Sequence, residues 1–350
     1  MQTEFRAIVQ SEYGAPEKVL KIAKRQLKSE ELGVDDVLVK VIARPIHHGD
    51  IQILSALPQG GPVSPIPEGT LRVPGFEGVG TIVRLGTNAK TAKRFSEGQR
   101  VAFFPADGSW EEYVVVRYNS LLAVPNEISD QIATQIFINT ITASLLIKAG
   151  HNSLKAPITP PVYILQNAAA SGVGRLLTQV ALDRGVRPIR LARSHQSAER
   201  LRSALPGPPV FSTNDRNWKE QVREALKGHK LEVAFDAVGG KAIDDLAEVV
   251  DDGGTIINLG SLGSNMGTSI YALVPNHVAL KSVSIMNWFR LTGDEKQKDF
   301  ELALSLATNH PELFEVAHQY EFGAFQKAIQ HVSRPGKTGI ILLKSPVQEG

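Results

Sequence analysis

From residue 1 to about 125, apolar and polar positions alternate in short runs punctuated by Gly and Pro. EFRAIVQSEYG, VLVKVIARPI, GVGTIVRLG, RVAFFP and WEEYVVVR all read this way, with the two-residue period of a half-buried strand. The pattern predicts an all-β unit. At SDQIATQIFINTITASLLIKAG the period changes. Ser129 or Asp130 can cap a helix whose apolar residues Ile132, Ile136, Ile141 and Leu145 recur at broadly helical intervals. A second unit is expected to begin there.

Beyond that point, strand-like and helix-like runs alternate: PVYILQNA, GVGRLLTQVALDRG, RPIRLAR, SAERLRSA, NWKEQVREALKG, LEVAFDAVG and GGTIINLG. This alternation marks βαβ units and a parallel sheet. The tail carries two further helical stretches, KDFELALSLATNH and GAFQKAIQHVSR, and closes on the strand TGIILLK. No internal repeat is present, which removes solenoid architectures.

The most informative segment is VYILQNAAASGVGRLLTQVALDRGVRPIRLAR. An apolar strand (Val162 to Leu165) leads into a small-residue turn (Asn167 to Gly174), an amphipathic helix, a stop at Gly185 and a second strand ending near Arg193. A dinucleotide site needs this order, because the turn lets backbone approach a pyrophosphate while helix N–H groups and dipole point at it. Against G-x-G-x-x-G, the first two glycines are Ala169 and Ser171. Only Gly174 survives, with Gly172 adding freedom. The alternative is an ordinary βα turn packed with small residues.

The second strand ends Arg190, Leu191, Ala192, Arg193, Ser194, and the first acid afterwards is Glu199. NAD sites place a carboxylate here for the ribose 2′-OH, whereas an arginine accommodates a 2′-phosphate. Arg193, with the Ser194 hydroxyl as an extra donor, therefore favours NADP(H). The alternative is a solvated basic face.

Composition narrows the chemistry. The 350 residues are enough for about two domains. Lys+Arg 38 against Asp+Glu 36 gives a net charge of +2, which speaks against a polybasic nucleic-acid grip. With no cysteine, disulfides, Cys-ligated zinc, iron–sulfur clusters and thiolate nucleophiles are excluded. No apolar run approaches a membrane span, and the N-terminus lacks the pattern of a signal peptide. A soluble, cytoplasmic protein is expected.

Several segments, in order, resemble the medium-chain dehydrogenase/reductase superfamily, and within it the zinc-independent quinone oxidoreductase and mitochondrial-type 2-enoyl thioester reductase branch. They are VPGFEGVGTIVRLG, FSEGQRVAFF, DGSWEEYVVV, INTITASLL, LQNAAASGVGR, FDAVGGKA and RPGKTGIILL. The resemblance implies an α/β protein: a GroES-like β-rich catalytic domain from residues 1–128 and 289–350, and a Rossmann doubly wound parallel-sheet domain from 129–288. The active cleft would lie where the two meet. By matching segments, Ala170, Ser171, Gly172, Val173 and Gly174 would take the pyrophosphate. Arg193, Ser194 and His195 would take the 2′-phosphate side, and Asn139 and Thr142 the nicotinamide end. Gly260 and Ser261 would follow a later strand, Trp288 would cover the cofactor, and Lys337 would reach the cleft. A homodimer joined near ALVPNHVALKSVSIMNW is also implied.

Two departures from the family pattern matter. Where zinc-dependent relatives hold their metal, this chain has His47 and Phe76, and a phenylalanine offers no lone pair, so no metal is expected. His47 and His48, read as neighbours in an extended strand, would point to opposite faces. Where mitochondrial-type enoyl reductases carry a tyrosine, Pro58 falls near that position. His47 is then the candidate proton donor, an imidazole with an ordinary pKa near 6.5; the alternative is a histidine bonded to nearby backbone. Trp110, Tyr113 and Trp288 could line a flat pocket or simply pack the core. The expected function is NADPH-dependent hydride transfer to an electron-poor C=C, enone or quinone. A trans-2-enoyl-CoA/ACP reductase and a non-catalytic NADPH-binding module are the alternatives, and neither nucleic acid nor membrane is an expected partner.

Overall fold

The computed structural model describes residues 2–28, 32–56, 65–155, 158, 160–261, 267–334 and 336–346. The chain divides into two compact units, residues 1–138 with 303–350, and residues 139–302. The stretches 129–138 and 289–302 thus fall on the other side of the boundaries expected from sequence. In the chain-order numbering used here, the first unit carries β1 (Gln2–Gln10), β2 (Leu20–Lys28), β3 (Asp36–Ile46), β4 (Gly78–Leu85), β5 (Arg100–Phe103), β6 (Tyr113–Arg117), β7 (Leu121–Ala123), β14 (Val316–Glu321) and β15 (Ile340–Lys344). The second carries β8 (Tyr163–Gln166), β9 (Arg187–Ala192), β10 (Val210–Ser212), β11 (Val233–Asp236), β12 (Thr255–Asn258) and β13 (Ala279–Ser282).

In the first unit, β1 and β2 form an antiparallel pair, and a seven-stranded sheet runs β14-β15-β3-β4-β5-β7 with β6 also on β3. Alternation along the strands turns Val37, Val39, Val41, Ile82, Val101 and Val114 into one buried cluster. The tail strand β15 pairs antiparallel with β3 and parallel with β14. This docks Ile341 and Leu343 against Ile46, Leu54, Trp110 and Phe322.

In the second unit, six parallel strands run β10-β9-β8-β11-β12-β13. Counted from its own first strand, the order is 3-2-1-4-5-6, the doubly wound arrangement whose ligands bind beyond the strands' carboxyl ends where the winding reverses. Leu165, Ile189, Leu191, Ile256, Val222 and Leu246 fill its core.

The helix predicted behind Ser129 is two helices. Ser129 Oγ accepts the N–H of Ile132 and caps the short Asp130–Ala133, and a separate helix spans Ile138–His151. The run through residues 129–150 therefore has no single helical face, which explains the uneven spacing of its apolar residues. Among the described residues, no helix is long and apolar enough to cross a membrane.

Candidate active site

In the second unit, the small-residue turn after β8 forms a narrow cradle at a helix start. Ser171 is the N-cap of the helix Gly172–Asp183, its Oγ accepting the N–H of Gly174 at 3.1 Å, so the remaining first-turn N–H groups face outward. A Cβ at Gly174 would sit 2.6 Å from Ala168 O and 2.8 Å from Ala169 Cα. That is the close helix–strand approach for which the fingerprint's last glycine is needed. A Cβ at Gly172 would come within 2.8 Å of Asn139 Nδ2, so Asn139 lies directly against the turn. Thr142, one turn further along Ile138–His151, is buried. Ala170 and Val173 are partly exposed, and Ala168 holds a left-handed backbone at φ 47°. The cradle fits a pyrophosphate: it is narrow, capped, and would be filled by a single added methyl.

The two arginines at the end of β9 differ. Arg190 is fully buried; it donates to Leu205 O at 2.9 Å and to Pro208 O, and burial pulls its pKa down to about 10. It fastens the 205–208 loop. Arg193 is exposed and, among the described residues, makes no hydrogen bond or ion pair. Ser194 caps the helix His195–Ala204, accepting the N–H of Ser197 at 3.2 Å. His195 Nε2 lies 3.3 Å from Asp215. Glu199 is committed to Arg202.

Sequence reasoning missed a row of polar residues at the strands' carboxyl ends. Asn167 follows β8, Asp236 ends β11 and Asn258 ends β12, and pairing registers place them side by side. Asp236 is completely buried. It accepts Asn167 Nδ2, Asn258 Nδ2 at 2.6 Å and the N–H groups of Val238 and Gly239 at 3.2 and 3.0 Å. Gly260, at φ 154°, and Ser261 form the turn after β12, held by Asn258 and by a Ser261 bond to Val238 O at 3.2 Å. Trp288 is buried rather than open for a ligand: its ring stacks on Phe300 at 5.9 Å and lies 5.1 Å from the Lys296 ammonium.

In the first unit, β3 ends at Ile46. His47 is the extended N-cap of the helix His48–Leu54, and His48 is its first residue. The two histidines are therefore not neighbours in a strand. The helix start, with His47 N–H donating to Asp50 Oδ2 at 2.8 Å, turns the chain between them. His47 Nε2 lies 2.5 Å from Glu77 Oε1, while Glu77 Oε2 accepts the N–H groups of Phe137 and Ile138, both at 3.1 Å. Burial works against a charged imidazole, but the hydrogen bond and charge of Glu77, helped by Asp50, prevail and raise the His47 pKa. Burial lifts the Asp50 carboxyl to about 6 against the pull of His47.

Lys337 Nζ donates to Gly339 O at 2.7 Å. Its pKa is lowered by burial despite Glu315, and its charge reaches His47. Trp110 is core, its Nε1 donating to Pro45 O at 3.3 Å. Tyr113 packs on Phe5 at 5.7 Å. Pro58 lies outside the described residues. Among those residues, no group of three or more His, Asp or Glu side chains is placed to hold a metal ion.

A β-rich unit followed by a doubly wound nucleotide-type unit is the architecture of a two-domain dehydrogenase or reductase. Residues 33–126 match the alcohol dehydrogenase GroES-like domain and residues 172–309 the zinc-binding dehydrogenase family. The mitochondrial enoyl-[acyl-carrier-protein] reductase of Caenorhabditis elegans is 29% identical over 299 residues, 83% of this chain and 81% of that one. A Bacillus thuringiensis protein assigned as an NADPH:quinone reductase superposes with a TM-score of 0.83 at 24% identity, covering 98% of this chain and 100% of the other. A mycobacterial protein solved with NADPH gives 0.79 at 23% identity, covering 97% and 99%. The chain belongs to the medium-chain dehydrogenase/reductase superfamily, in its zinc-independent branch.

Proposed function

We propose that this protein is an NADPH-dependent reductase that delivers hydride to an electron-poor C=C, enone or quinone without a metal. The observation that carries the reading is the end of β9. There an exposed Arg193, unpaired among the described residues, stands where a carboxylate would select NADH, and the next acid along the chain, Glu199, is tied to Arg202. The NADPH bound by the mycobacterial neighbour supports it. When bound, NADPH supplies the hydride.

The chain's own residues bind and orient. Ala170 to Gly174 offer first-turn N–H groups to the pyrophosphate, with Asn139 set against Gly172. Arg193, Ser194 and His195 take the 2′-phosphate side, and Thr142, Gly260 and Ser261 serve the nicotinamide end. Lys337 contributes charge and Trp288 supports from the buried side. His47, with its raised pKa, holds the proton destined for the product.

The test is consumption of NADPH, with NADH as control, across enones, quinones and enoyl thioesters. Selective NADPH oxidation is expected; no NADPH binding, or equal use of both cofactors, refutes the reading. A second reading, 2-enoyl thioester reductase, is favoured by the nematode relative's activity. Comparing crotonyl-CoA with a simple quinone at equal concentration separates the two.

The assembly we propose is a homodimer through β13. That terminal strand is exposed at all four residues, and Ile270, Tyr271, Val274 and Met286 are exposed nearby in sequence. An open strand edge flanked by apolar side chains invites pairing. Light scattering on the purified chain would read twice the 38.0 kDa protomer mass; a monomer would refute it.

A further inference from the structure

Asn167, Asp236 and Asn258 lie 69 and 22 residues apart in sequence, yet the strand order β8-β11-β12 sets them side by side. Each sits at or just past the carboxyl end of its strand. We infer that Asp236 is a positioning residue for the dinucleotide, locking the turns after these three strands into one rigid rim. The inference rests on the NADPH reading above and deepens it.

The hydrogen-bond directions carry the argument. Both Asp236 oxygens are used as acceptors, by two side-chain amides and by the N–H groups of Val238 and Gly239. No cation pairs with it among the described residues, and all its hydrogen-bond partners are neutral donors. Asn167, at the head of the cradle, spends its oxygen on Ala237 N–H at 2.8 Å and its amide on Asp236. That fixes the start of the cradle to the β11 turn. Asn258 gives one amide hydrogen bond to Asp236 and another to Gly260 O at 2.8 Å, while its oxygen accepts Gly260 N–H at 3.1 Å. That fixes the β12 turn. Ser261 closes the loop by donating to Val238 O.

A carboxylate is the one side chain of this size that can accept from an amide on each side at once. The cradle and the Gly260–Ser261 turn are thereby preset at one separation, and a ligand spanning both need not order them on binding. A ligand held only at the β9 end gains nothing from this rim.

The test is affinity for two probes, NADPH and 2′-AMP, by calorimetry on the full chain. Asp236→Asn places an amide donor against Asn167 or Asn258. We expect NADPH affinity to fall tenfold or more while 2′-AMP affinity stays within twofold. Unchanged NADPH affinity in folded D236N, or equal weakening of both probes, overturns the inference. If D236N does not fold, Asn258→Ala is read instead: selective loss of NADPH supports the rim, and equal or no loss overturns it. A wild-type chain that binds no NADPH is a different result, which refutes the cofactor reading itself and removes the premise of this inference.

Discussion

His47 Nε2 and Glu77 Oε1 are 2.5 Å apart, and the second oxygen of Glu77 is pinned by two backbone N–H groups. The hydrogen bond and charge of Glu77 outweigh burial and raise the His47 pKa, which favours the imidazolium beside this carboxylate. Glu77 is fully buried, so removing its partner strands a charge. His47→Ala should therefore cost about 3–5 kcal/mol of stability, measured by denaturant unfolding. His47→Gln, whose amide can still donate to Glu77, should cost much less and yet abolish proton donation. Equal stability losses in the two variants would show that the pair is not what holds this corner together. Undiminished turnover of an enone by the glutamine variant would remove His47 from the chemistry.

Asp50 and His47 in this corner, together with Glu111, which is paired with Arg25, set a pH dependence. Asp50 rises from 3.8 to about 6 and Glu111 from 4.5 to about 7, both chiefly through burial, and His47 is raised above 6.5. For each group the folded chain binds its proton more tightly than the unfolded chain. Stability therefore falls as pH climbs from about 4 towards 7 and on through the folded value of His47. Salt-independent urea midpoints should be higher at pH 5.5 than at pH 8, by an amount on the order of a few kcal/mol in stability. A flat or rising profile would contradict the burial of these carboxyls.

Much of the second unit was legible because its signals are local. The strand, the small-residue turn and the helix stop at Gly185 lie within one stretch of about 30 residues, and each follows from short-range rules. Arg190 and Arg193 show the limit, since two arginines three residues apart read alike but one is a buried clamp and the other is exposed with no partner among the described residues. Trp110 and Trp288 could not be told from pocket aromatics without knowing what covers them. β13 was legible only as part of the suggested dimer segment, and the Asn167–Asp236–Asn258 row is invisible until strand order is known. A weak signal existed: ILQN, VAFD and TIIN each close an apolar run with a carboxamide or carboxylate. Glu77 was in plain view within VPGFEGVG, but its role depends on Phe137 and Ile138 arriving from about 60 residues on.

The two glycines of the cradle predict opposite kinds of damage. In Gly172→Ala the new methyl meets only the end of the Asn139 side chain, which can swing aside. Stability should change by less than about 1 kcal/mol, while NADPH affinity drops because both the cradle and Asn139 are disturbed. In Gly174→Ala the methyl meets backbone atoms of Ala168 and Ala169 that cannot yield. Thermal stability should fall by about 1–3 kcal/mol, whether or not cofactor is added. Equal melting temperatures for the two variants would mean that the helix does not approach the strand as closely as the geometry requires.

Cofactor choice is the sharpest prediction, because Arg193 has no structural employment to lose. It makes no bond among the described residues, so Arg193→Ala should leave melting temperature unchanged in the absence of ligand. Its effect should fall on one ligand. Losing a charged hydrogen bond to a 2′-phosphate is worth about 1.5–3 kcal/mol, which raises the KM for NADPH roughly ten- to a hundredfold. The KM for NADH, which lacks that phosphate, should move by less than about twofold, and kcat with either cofactor should hold, since the contact is the same before and during hydride transfer. Restoring the charge as Arg193→Lys should recover only part of the affinity, because an ammonium cannot offer the planar fork. If both KM values rise together, the guanidinium is not addressed to the 2′-phosphate, and cofactor selection must lie with Ser194 and the N–H groups of the helix His195–Ala204.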